Sequence, residues 1–308
     1  MRAAAIDLGS NTFHTLVAEV EPSGITAVVH DEKLPLRLGD SAFTRGRIPP
    51  PAIVRGLSAL APLLARARAH APDHLRILAT GVFRDAANGR AFITEAMRRH
   101  AIEIELLDGR TEATLTWLGV SAELAGGHGR LVIVDLGGGS LECVSGTAST
   151  NIELAHSAPL GVLRLRGLDR SALRARVATT LGPITAEIRA RPVDVVAISS
   201  GTARALLRLA RALGLAGVLQ RHLGWHTIDD LAELLAPLPA PSLGELGVEP
   251  ARADTIATGA MLLAAALDLL GRPIVYVARH ALREGALVDL ARRHHEAASS
   301  FVISSRRV

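Results

Sequence analysis

The sequence predicts an α/β protein of two domains. Short apolar runs that suit buried strands alternate along the chain with longer segments of helical spacing, which is the pattern of α/β folds. One phrase is written twice, an apolar run followed by Asp-Leu-Gly and small polar residues, at 4–12 and at 131–140. The 308 residues suffice for about two domains of ordinary size. We therefore expect one domain over 1–124 and a second over 125–308, with the last helix a candidate to pack on the first domain.

The first half of the chain is predicted to contain five strands and three helices. Its apolar and alternating runs place strands at 3–8, 13–20, 25–30, 75–80 and 102–106, and its helical spacing places helices at 51–70, 90–100 and 111–124. Pro49-Pro50-Pro51 fits the start of the first helix, because proline is tolerated in the first helical turn. Gly126-Gly127-His128-Gly129 is predicted to link the two halves.

The second half repeats this order of elements. Strands are expected at 131–136, 141–145, 151–157, 193–200 and 274–278, and helices at 171–190, 201–213, 251–270 and 281–294. Four prolines between 237 and 250 predict a surface loop there.

Each copy of the repeated phrase predicts a turn that binds anions. Glycine after a buried strand permits a tight turn whose backbone N–H groups face outward, and a row of such groups binds phosphate. The expected donors are Gly9, Ser10 and Asn11 in the first copy and Gly137, Gly138, Gly139 and Ser140 in the second. A single glycine turn is more often a plain hairpin. The repetition after Asp-Leu favours a ligand site.

Asp7 and Asp135 are placed where a buried strand meets each turn. An unpaired carboxylate in that position is costly, so a cation is its natural partner. Mg²⁺ takes oxygen ligands and keeps several waters while it contacts phosphate. The plainer interpretation of Asp7 is that it caps the turn.

The composition narrows the class of ligand. The net charge is +4, and Lys33 is the only lysine. A general bias toward arginine accounts for most of the arginine count, but guanidinium groups also suit phosphate oxygens. No aromatic-rich strand, zinc-finger or basic-zipper pattern indicates a nucleic-acid partner. Cys143, the single cysteine, excludes an internal disulfide, and no apolar run has the length of a membrane helix. We expect a cytoplasmic protein with neither nucleic acid nor a membrane as partner.

Eight segments resemble, in order, the motifs of one family. They lie at 7–14, 79–89, 109–113, 135–142, 160–165, 200–202, 252–254 and 282–285. Together they cover nearly the whole chain and are similar to the Ppx/GppA family of exopolyphosphatases and guanosine-pentaphosphate phosphatases, a branch of the actin-like ATPase superfamily. Phe13-His14 is the form common in exopolyphosphatases, and the chain resembles the short two-domain members.

The resemblance implies a fold and a set of site residues. The fold would be two actin-like (ribonuclease H-like) domains with an active-site cleft between them. Glu112 would be the general base on the attacking water, although a glutamate in the first turn of a helix also simply suits the helix dipole. Asp135 and Glu142 would hold or orient Mg²⁺ or Mn²⁺ with help from Asp7; otherwise Glu142 is an outward-facing strand residue. Arg84 matches a family position near the substrate and would bind phosphate through its guanidinium.

The function implied is an exopolyphosphatase that releases orthophosphate from the end of inorganic polyphosphate by Mg²⁺-assisted attack of water. A pppGpp 5′-phosphohydrolase would use the same site and is the nearest alternative. An actin-like kinase is a further one, but Glu112 suits water better than a hydroxyl acceptor. The sequence leaves a homodimer open.

A non-catalytic sensor of polyphosphate or of an alarmone is the remaining alternative. It is permitted by departures from the family pattern at Thr111 and at Leu141; Ala278-Arg279 is a further departure. The presence of Glu112 and of both acids of the second turn favours an enzyme instead.

Overall fold

The computed structural model describes residues 1–125, 127–148, 150–215 and 218–305, with side chains described throughout except at 218 and 299–305. Gly126 of the predicted linker lies outside the described residues. The chain divides into two compact units. The first comprises Met1–Thr111, Leu115–Ala125 and His280–Val308, and the second comprises Glu112–Thr114 and Gly126–Arg279. The domain boundary placed near 125 from the sequence stays a prediction about which parts of the chain fold independently.

The first unit begins with three strands and continues with alternating helices and strands. Its elements are β1 (Arg2–Leu8), β2 (Thr12–Glu21), β3 (Gly24–Pro35), α1 (Ala42–Arg45), α2 (Pro50–Ala69), β4 (His74–Ala79), α3 (Val82–Asp85), α4 (Gly89–His100), β5 (Glu105–Leu106) and α5 (Gly109–Glu123). The strands form one sheet in the order β3-β2-β1-β4-β5, in which β1, β2 and β3 pair antiparallel and β4 lies parallel to β1.

Both faces of this sheet are covered, which explains why β1 reads as a nearly continuous apolar run. On one face Ile6 and Leu8 belong to a core that includes residues of α2 and α4. On the other face Ala3 and Ala5 pack with Leu287 of the last helix. The small alanine side chains let that helix approach the sheet closely.

The second unit repeats the arrangement with additional strands. Its elements, followed by the last helix of the chain, are β6 (Leu131–Leu136), β7 (Leu141–Ala148), β8 (Asn151–Ala158), α6 (Val162–Leu165), α7 (Arg170–Arg189), β9 (Val195–Ser199), α8 (Gly201–Ala212), β10 (Val218–Leu219), β11 (His222–Gly224), α9 (Trp225–Leu235), α10 (Ala240–Glu245), a 3-10 turn (Pro250–Arg252), α11 (Ile256–Leu270), β12 (Ile274–Val277) and α12 (Leu282–Ser305).

The two sheets share one topology. The second sheet has the order β10-β11-β12-β9-β6-β7-β8, so its strands β8-β7-β6-β9-β12 reproduce the order of the five strands of the first sheet. In each sheet the first strand pairs antiparallel with the second and parallel with the fourth. The predicted α/β fold class, with one such sheet in each half of the chain, is confirmed.

Several local predictions differ from the structure. The strand expected at 25–30 continues to Pro35, and the helix expected at 251–270 begins only at Ile256. The proline-rich segment 237–250 is not a continuous loop, because Ala240–Glu245 is helical and Pro241 lies in its first turn, where a missing N–H costs nothing. The strand expected at 102–106 is only Glu105–Leu106. The last helix extends beyond 294 to Ser305. Within the described part of the chain, no helix combines the length and the apolar character that crossing a membrane requires.

Candidate active site

The two Asp-Leu-Gly turns close with the same backbone hydrogen bond. The Gly9 N–H donates to the Thr12 carbonyl at 3.1 Å, and the Gly137 N–H donates to the Ser140 carbonyl at 2.9 Å. A Cβ atom at Gly9 would lie 2.9 Å from the Thr12 oxygen, which is too close for any larger residue. These two N–H groups are used inside the protein. Phosphate binding therefore stays a prediction for the residues that follow them.

In the first turn, the Ser10 side chain has a structural task. Ser10 is buried, and its hydroxyl accepts the N–H of Val82 at 2.9 Å, which ties the turn to the start of α3. Gly81 has a positive φ of 44° at this corner, and a Cβ there would overlap with the Ser10 hydroxyl. Accepting this N–H leaves the hydroxyl proton for donation, so a phosphate contact by Ser10 can use its hydroxyl as well as its backbone N–H.

Asn11 holds the following segment through its backbone. Its carbonyl accepts the N–H groups of Leu36 at 3.0 Å and of Arg37 at 2.8 Å. Within the described residues, its buried side-chain oxygen has no hydrogen-bond partner. A buried amide oxygen without a partner is costly, so this position favours a bound water or ligand.

Asp7 lies directly behind the first turn. Both of its carboxylate oxygens are 3.9 Å from the position that a Cβ of Gly9 would occupy. In the strand register Asp7 is opposite His14, a buried residue that is paired with Asp31 of β3. The carboxylate is thus held at the turn, as a role beside phosphate requires.

Arg84 lies on the short helix α3, beyond the end of β4. Its Nη1 donates to the Leu107 carbonyl at 3.2 Å, and its Nε lies 3.4 Å from a carboxylate oxygen of Asp85. Asp108, which caps α5, accepts the Thr111 N–H at 2.7 Å. That hydrogen bond, with the charge of Arg84 contributing, lowers the pKa of Asp108. Arg84 is thereby fixed close to the beginning of the helix that carries Glu112.

The second turn is built so that its N–H groups face away from α6. The carbonyls of Gly137 and Gly138 accept the N–H groups of Val162 at 3.1 Å and Leu163 at 2.9 Å, and the carbonyl of Gly139 accepts Nε of Arg164 at 2.5 Å. In a trans peptide the N–H points opposite to the carbonyl. The N–H groups that follow these three carbonyls therefore point away from α6 together.

Those three N–H groups belong to Gly138, Gly139 and Ser140. Convergent backbone N–H groups form an anion-binding concavity. The geometry supports the phosphate-binding role predicted for these residues.

Gly161 and Arg164 are functional residues that we did not single out from the sequence. A Cβ at Gly161 would overlap with the backbone of Gly138 and Gly139, so only glycine lets α6 approach the turn. The sequence did contain a signal for both residues, because they lie in the segment 160–165 that resembles a family motif.

Glu142 is a buried carboxyl group on β7 of the second unit. It lies opposite Asp135 in the strand register, is 1% exposed, and accepts the Ser157 hydroxyl at 2.7 Å. Burial raises its pKa well above the ordinary glutamate value, and the charges of Glu112 and Asp135 raise it further. Three predicted site residues are therefore electrostatically coupled in one unit, and Glu142 is buried rather than facing outward.

This set of acids fits a hydrated divalent cation. The donors are all carboxylate oxygens, which Mg²⁺ and Mn²⁺ prefer, and their mutual repulsion would be relieved by a positive charge. In the described ranges, no three His, Cys, Asp or Glu side chains converge tightly enough to enclose an ion. An ion held by one or two carboxylates, water and substrate oxygens suits this arrangement, and it is the usual coordination of Mg²⁺ with phosphates.

Several other polar, aromatic and sulfur-containing residues of the second unit make contacts within the fold. The Ser200 hydroxyl accepts the Ala203 N–H at 2.9 Å and caps α8. Cys143 is buried, which raises the pKa of its thiol to about 12 and leaves it unreactive. His222 contacts the Tyr276 ring at a centroid distance of 5.5 Å, and His226 contacts Trp225.

Comparison with known proteins identifies the family. The model of the Ppx/GppA phosphatase family matches residues 16–294. Exopolyphosphatase 1 of Mycobacterium tuberculosis is 30% identical over 100% of this chain and 93% of its own length. The guanosine-5′-triphosphate,3′-diphosphate pyrophosphatase of Vibrio vulnificus is also 30% identical, over 93% of this chain and 59% of its own length.

Solved structures agree with the fold. An exopolyphosphatase from Cytophaga hutchinsonii superposes with a TM-score of 0.83 at 24% identity, covering 95% of this chain and 98% of that one. An exopolyphosphatase-like protein gives a TM-score of 0.82 at 25% identity with the same coverage. The resemblance recognised from the eight segments is confirmed, and this chain belongs to the Ppx/GppA phosphatase family.

Proposed function

We propose that the protein is an exopolyphosphatase, a hydrolase that releases orthophosphate from the end of inorganic polyphosphate. The observation that carries the proposal is that Glu112, Asp135 and Glu142 repel one another electrostatically beside a turn whose N–H groups point away from α6. Hydrolysis of a phosphoanhydride requires charge stabilisation, a positioned water and an in-line path. The residues of this chain offer a group for each requirement.

Glu112 is assigned to the water. It is half-buried in the first turn of α5, so its carboxylate is held by the helix and still accessible. A carboxylate in this setting takes the proton as the water attacks the terminal phosphorus, and the bond to the bridging oxygen breaks on the opposite side. General base catalysis of this kind contributes about 10²–10⁴-fold to a rate.

The backbone donors are assigned to the phosphoryl oxygens. The N–H groups of Gly138, Gly139 and Ser140 bind the oxygens on which negative charge is concentrated. Ser10 and Asn11, through their backbone N–H groups, and Arg84, through its guanidinium, are proposed to bind phosphoryl groups as well. Gly9 and Gly137 contribute by permitting the two turns.

Asp135 and Glu142, with Asp7 assisting, are proposed to hold the divalent cation, Mg²⁺ or Mn²⁺. When bound, the cation neutralises phosphate charge and helps to orient the substrate. Asp135 and Glu142 would hold the cation directly or through water, and Ser157 fixes the Glu142 carboxylate by donating a hydrogen bond to it. The raised pKa of Glu142 means that burial and its neighbours disfavour the ionised form of this carboxyl group. A bound cation would favour that ionised form.

Inorganic polyphosphate is proposed as the substrate ahead of pppGpp. The chain spans 93% of the exopolyphosphatase relative but only 59% of the guanosine-phosphate relative. A nucleotide substrate would end in the same kind of phosphoanhydride, so pppGpp hydrolysis is the alternative outcome.

The deciding experiment measures phosphate release from long-chain polyphosphate, tripolyphosphate and pppGpp side by side, each with and without Mg²⁺. We expect kcat/KM to be highest for long-chain polyphosphate. A higher value for pppGpp would replace the proposed substrate and keep the site. No release from any of the three would point to a sensor and overturn the proposal.

A further inference from the structure

The helix that carries Glu112 meets the beginning of the last helix through two glycines. Gly119 lies two turns after Glu112 on α5, and Gly285 lies in the first turn of α12. A Cβ at Gly285 would overlap with the Leu115 carbonyl oxygen and lie 2.9 Å from the Gly119 nitrogen. A Cβ at Gly119 would lie 2.9 Å from the Gly285 nitrogen and would overlap with the Ala281 carbonyl oxygen.

The two helices therefore touch backbone to backbone. A side chain at the end of a flexible stem can move away from an added methyl group, but a helix backbone cannot do so without moving the helix. Only glycine at both positions permits this approach, which gives the crossing a defined distance and register.

The beginning of α12 is itself fixed. The backbone N–H of Ala281 donates to the Glu284 carboxylate at 2.8 Å, and the N–H of His280 donates to the Glu123 carboxylate of α5 at 2.8 Å. Glu284 is buried, and its pKa is nevertheless lowered, chiefly by the charge of Arg283 against the effect of burial. Helix α5 thus packs against a segment, the beginning of α12, that hydrogen bonds hold in place.

The contact between α5 and the beginning of α12 lies close to Glu112 along α5. Leu115, whose carbonyl is in contact with Gly285, is three residues from Glu112, which is about one turn or ~4.5 Å along the axis. Leu115 and Trp117 are buried, so α5 transmits a displacement at the crossing as a rigid body.

We propose that the Gly119–Gly285 crossing sets the position of the Glu112 carboxylate, which makes Gly285 a positioning residue for hydrolysis. The inference rests on the proposed function, because it requires Glu112 to act on the attacking water. A misplacement of about 1 Å can cost about 10²-fold in rate. The N–H groups proposed to bind phosphate belong to other elements, and Arg84 is held by the Leu107 carbonyl, before α5 begins, so we expect substrate affinity to depend little on this crossing.

The test is a double-mutant cycle on long-chain polyphosphate hydrolysis. We expect Gly285→Ala to lower kcat by about 10–100-fold and to change KM less than about threefold, which is the signature of a contact that matters only in the transition state. Introduced into Glu112→Gln, the same substitution should lower kcat by less than about twofold, because the group that it misplaces is no longer a base.

The matched control is Gly244→Ala, another helical glycine to alanine, where an added Cβ meets nothing within 4 Å. It should leave kcat and KM unchanged. Gly119→Ala, which presses on the Ala281 carbonyl outside α12, is the second variant in case Gly285→Ala does not fold, and it should give the same split between kcat and KM.

Equal losses of kcat from Gly285→Ala in the wild-type and Glu112→Gln backgrounds would overturn the positioning role. A KM that rises in step with the loss of kcat would also overturn it, and so would a failure of both alanine variants to fold. Wild-type turnover by Glu112→Gln alone would instead remove the base from the proposed function, so the two failures are distinguishable.

Discussion

His14 and Glu142 occupy the same position in the two units. Each lies on the second strand of its sheet, directly opposite the aspartate that precedes the turn, Asp7 in one unit and Asp135 in the other. His14 is paired with Asp31, whereas Glu142 accepts the Ser157 hydroxyl. The two units therefore have equivalent strand pairing at this position but carry different side chains there. The acid facing the turn's aspartate, Glu142, lies in the second unit.

Glu112→Gln tests the general base. The substitution keeps the size of the side chain and removes its basicity, so we expect single-turnover hydrolysis of polyphosphate to fall by about 10²–10⁴-fold. Binding should survive or tighten, because a negative charge near the phosphate is lost. If Glu112 only favoured the helix dipole, the variant would lose a little stability and keep its turnover. Hydrolysis within a few-fold of wild type would exclude Glu112 from the mechanism.

Glu142→Gln tests the buried acid through stability. Because the folded-state pKa of Glu142 is raised, the folded protein retains its proton to higher pH than the unfolded chain does, and stability declines as the pH rises above the ordinary glutamate pKa of 4.5. The neutral glutamine removes this decline. Without metal, we expect Tm to exceed that of wild type at pH 7.5, by ~2–4 °C for each kcal/mol recovered, and the difference to shrink toward pH 4. Hydrolysis should be lost.

The control for this prediction is Glu245→Gln, a substitution of an exposed glutamate on α10. Its Tm should follow wild type at every pH. Parallel curves for wild type and Glu142→Gln between pH 4 and pH 7.5 would refute the assignment of a raised pKa.

Removal of divalent cations tests the metal. Three coupled carboxylates beside a polyanion are mutually repulsive, so we expect phosphate release to drop at least about 100-fold in excess chelator and to return on addition of Mg²⁺ or Mn²⁺. Adding Mg²⁺ without substrate should raise Tm in wild type more than in Glu142→Gln, because a ligand stabilises the state that binds it. Full activity in chelator would contradict the cation role of Asp135 and Glu142.

Arg84→Ala tests the guanidinium near the beginning of α5. A charge-assisted hydrogen bond contributes about 1.5–3 kcal/mol, so KM for polyphosphate should rise about 10–100-fold while the fold is kept. Arg99→Ala is the matched control, because Arg99 is also paired with a carboxylate but lies on the surface of α4. An equal, small effect of both variants would place Arg84 outside the phosphate site.

The repeat in the sequence made the main architecture predictable. Two copies of strand, glycine turn and strand, each followed by helices and parallel strands, leave few topologies, and the five strands of the first sheet have the same order as their counterparts in the second. The buried strands β1 and β6 were placed within one residue because both faces of each sheet are covered, which produces a continuous apolar run.

The details of the site were less predictable because they depend on contacts distant in sequence. The Ser10 hydroxyl accepts the N–H of Val82, 72 residues away, and this contact ties the first turn to α3. Arg164 fixes the second turn from 25 residues downstream. No local pattern encodes either contact, since side-chain capping and backbone approach are decided by tertiary packing.

The placement of α12 has a consequence for the order of synthesis. Leu287, Val288 and Ala291 complete a core cluster with Ala3 and Ala5, near the other end of the chain. The ribosome adds about 5–20 residues per second, so β1 waits roughly 10–60 s for this helix to be made, whereas the second unit is almost contiguous along the chain. The unit that is begun first is finished last. Proteolysis of stalled nascent chains should find the second unit protected before the first, and the reverse order would refute this.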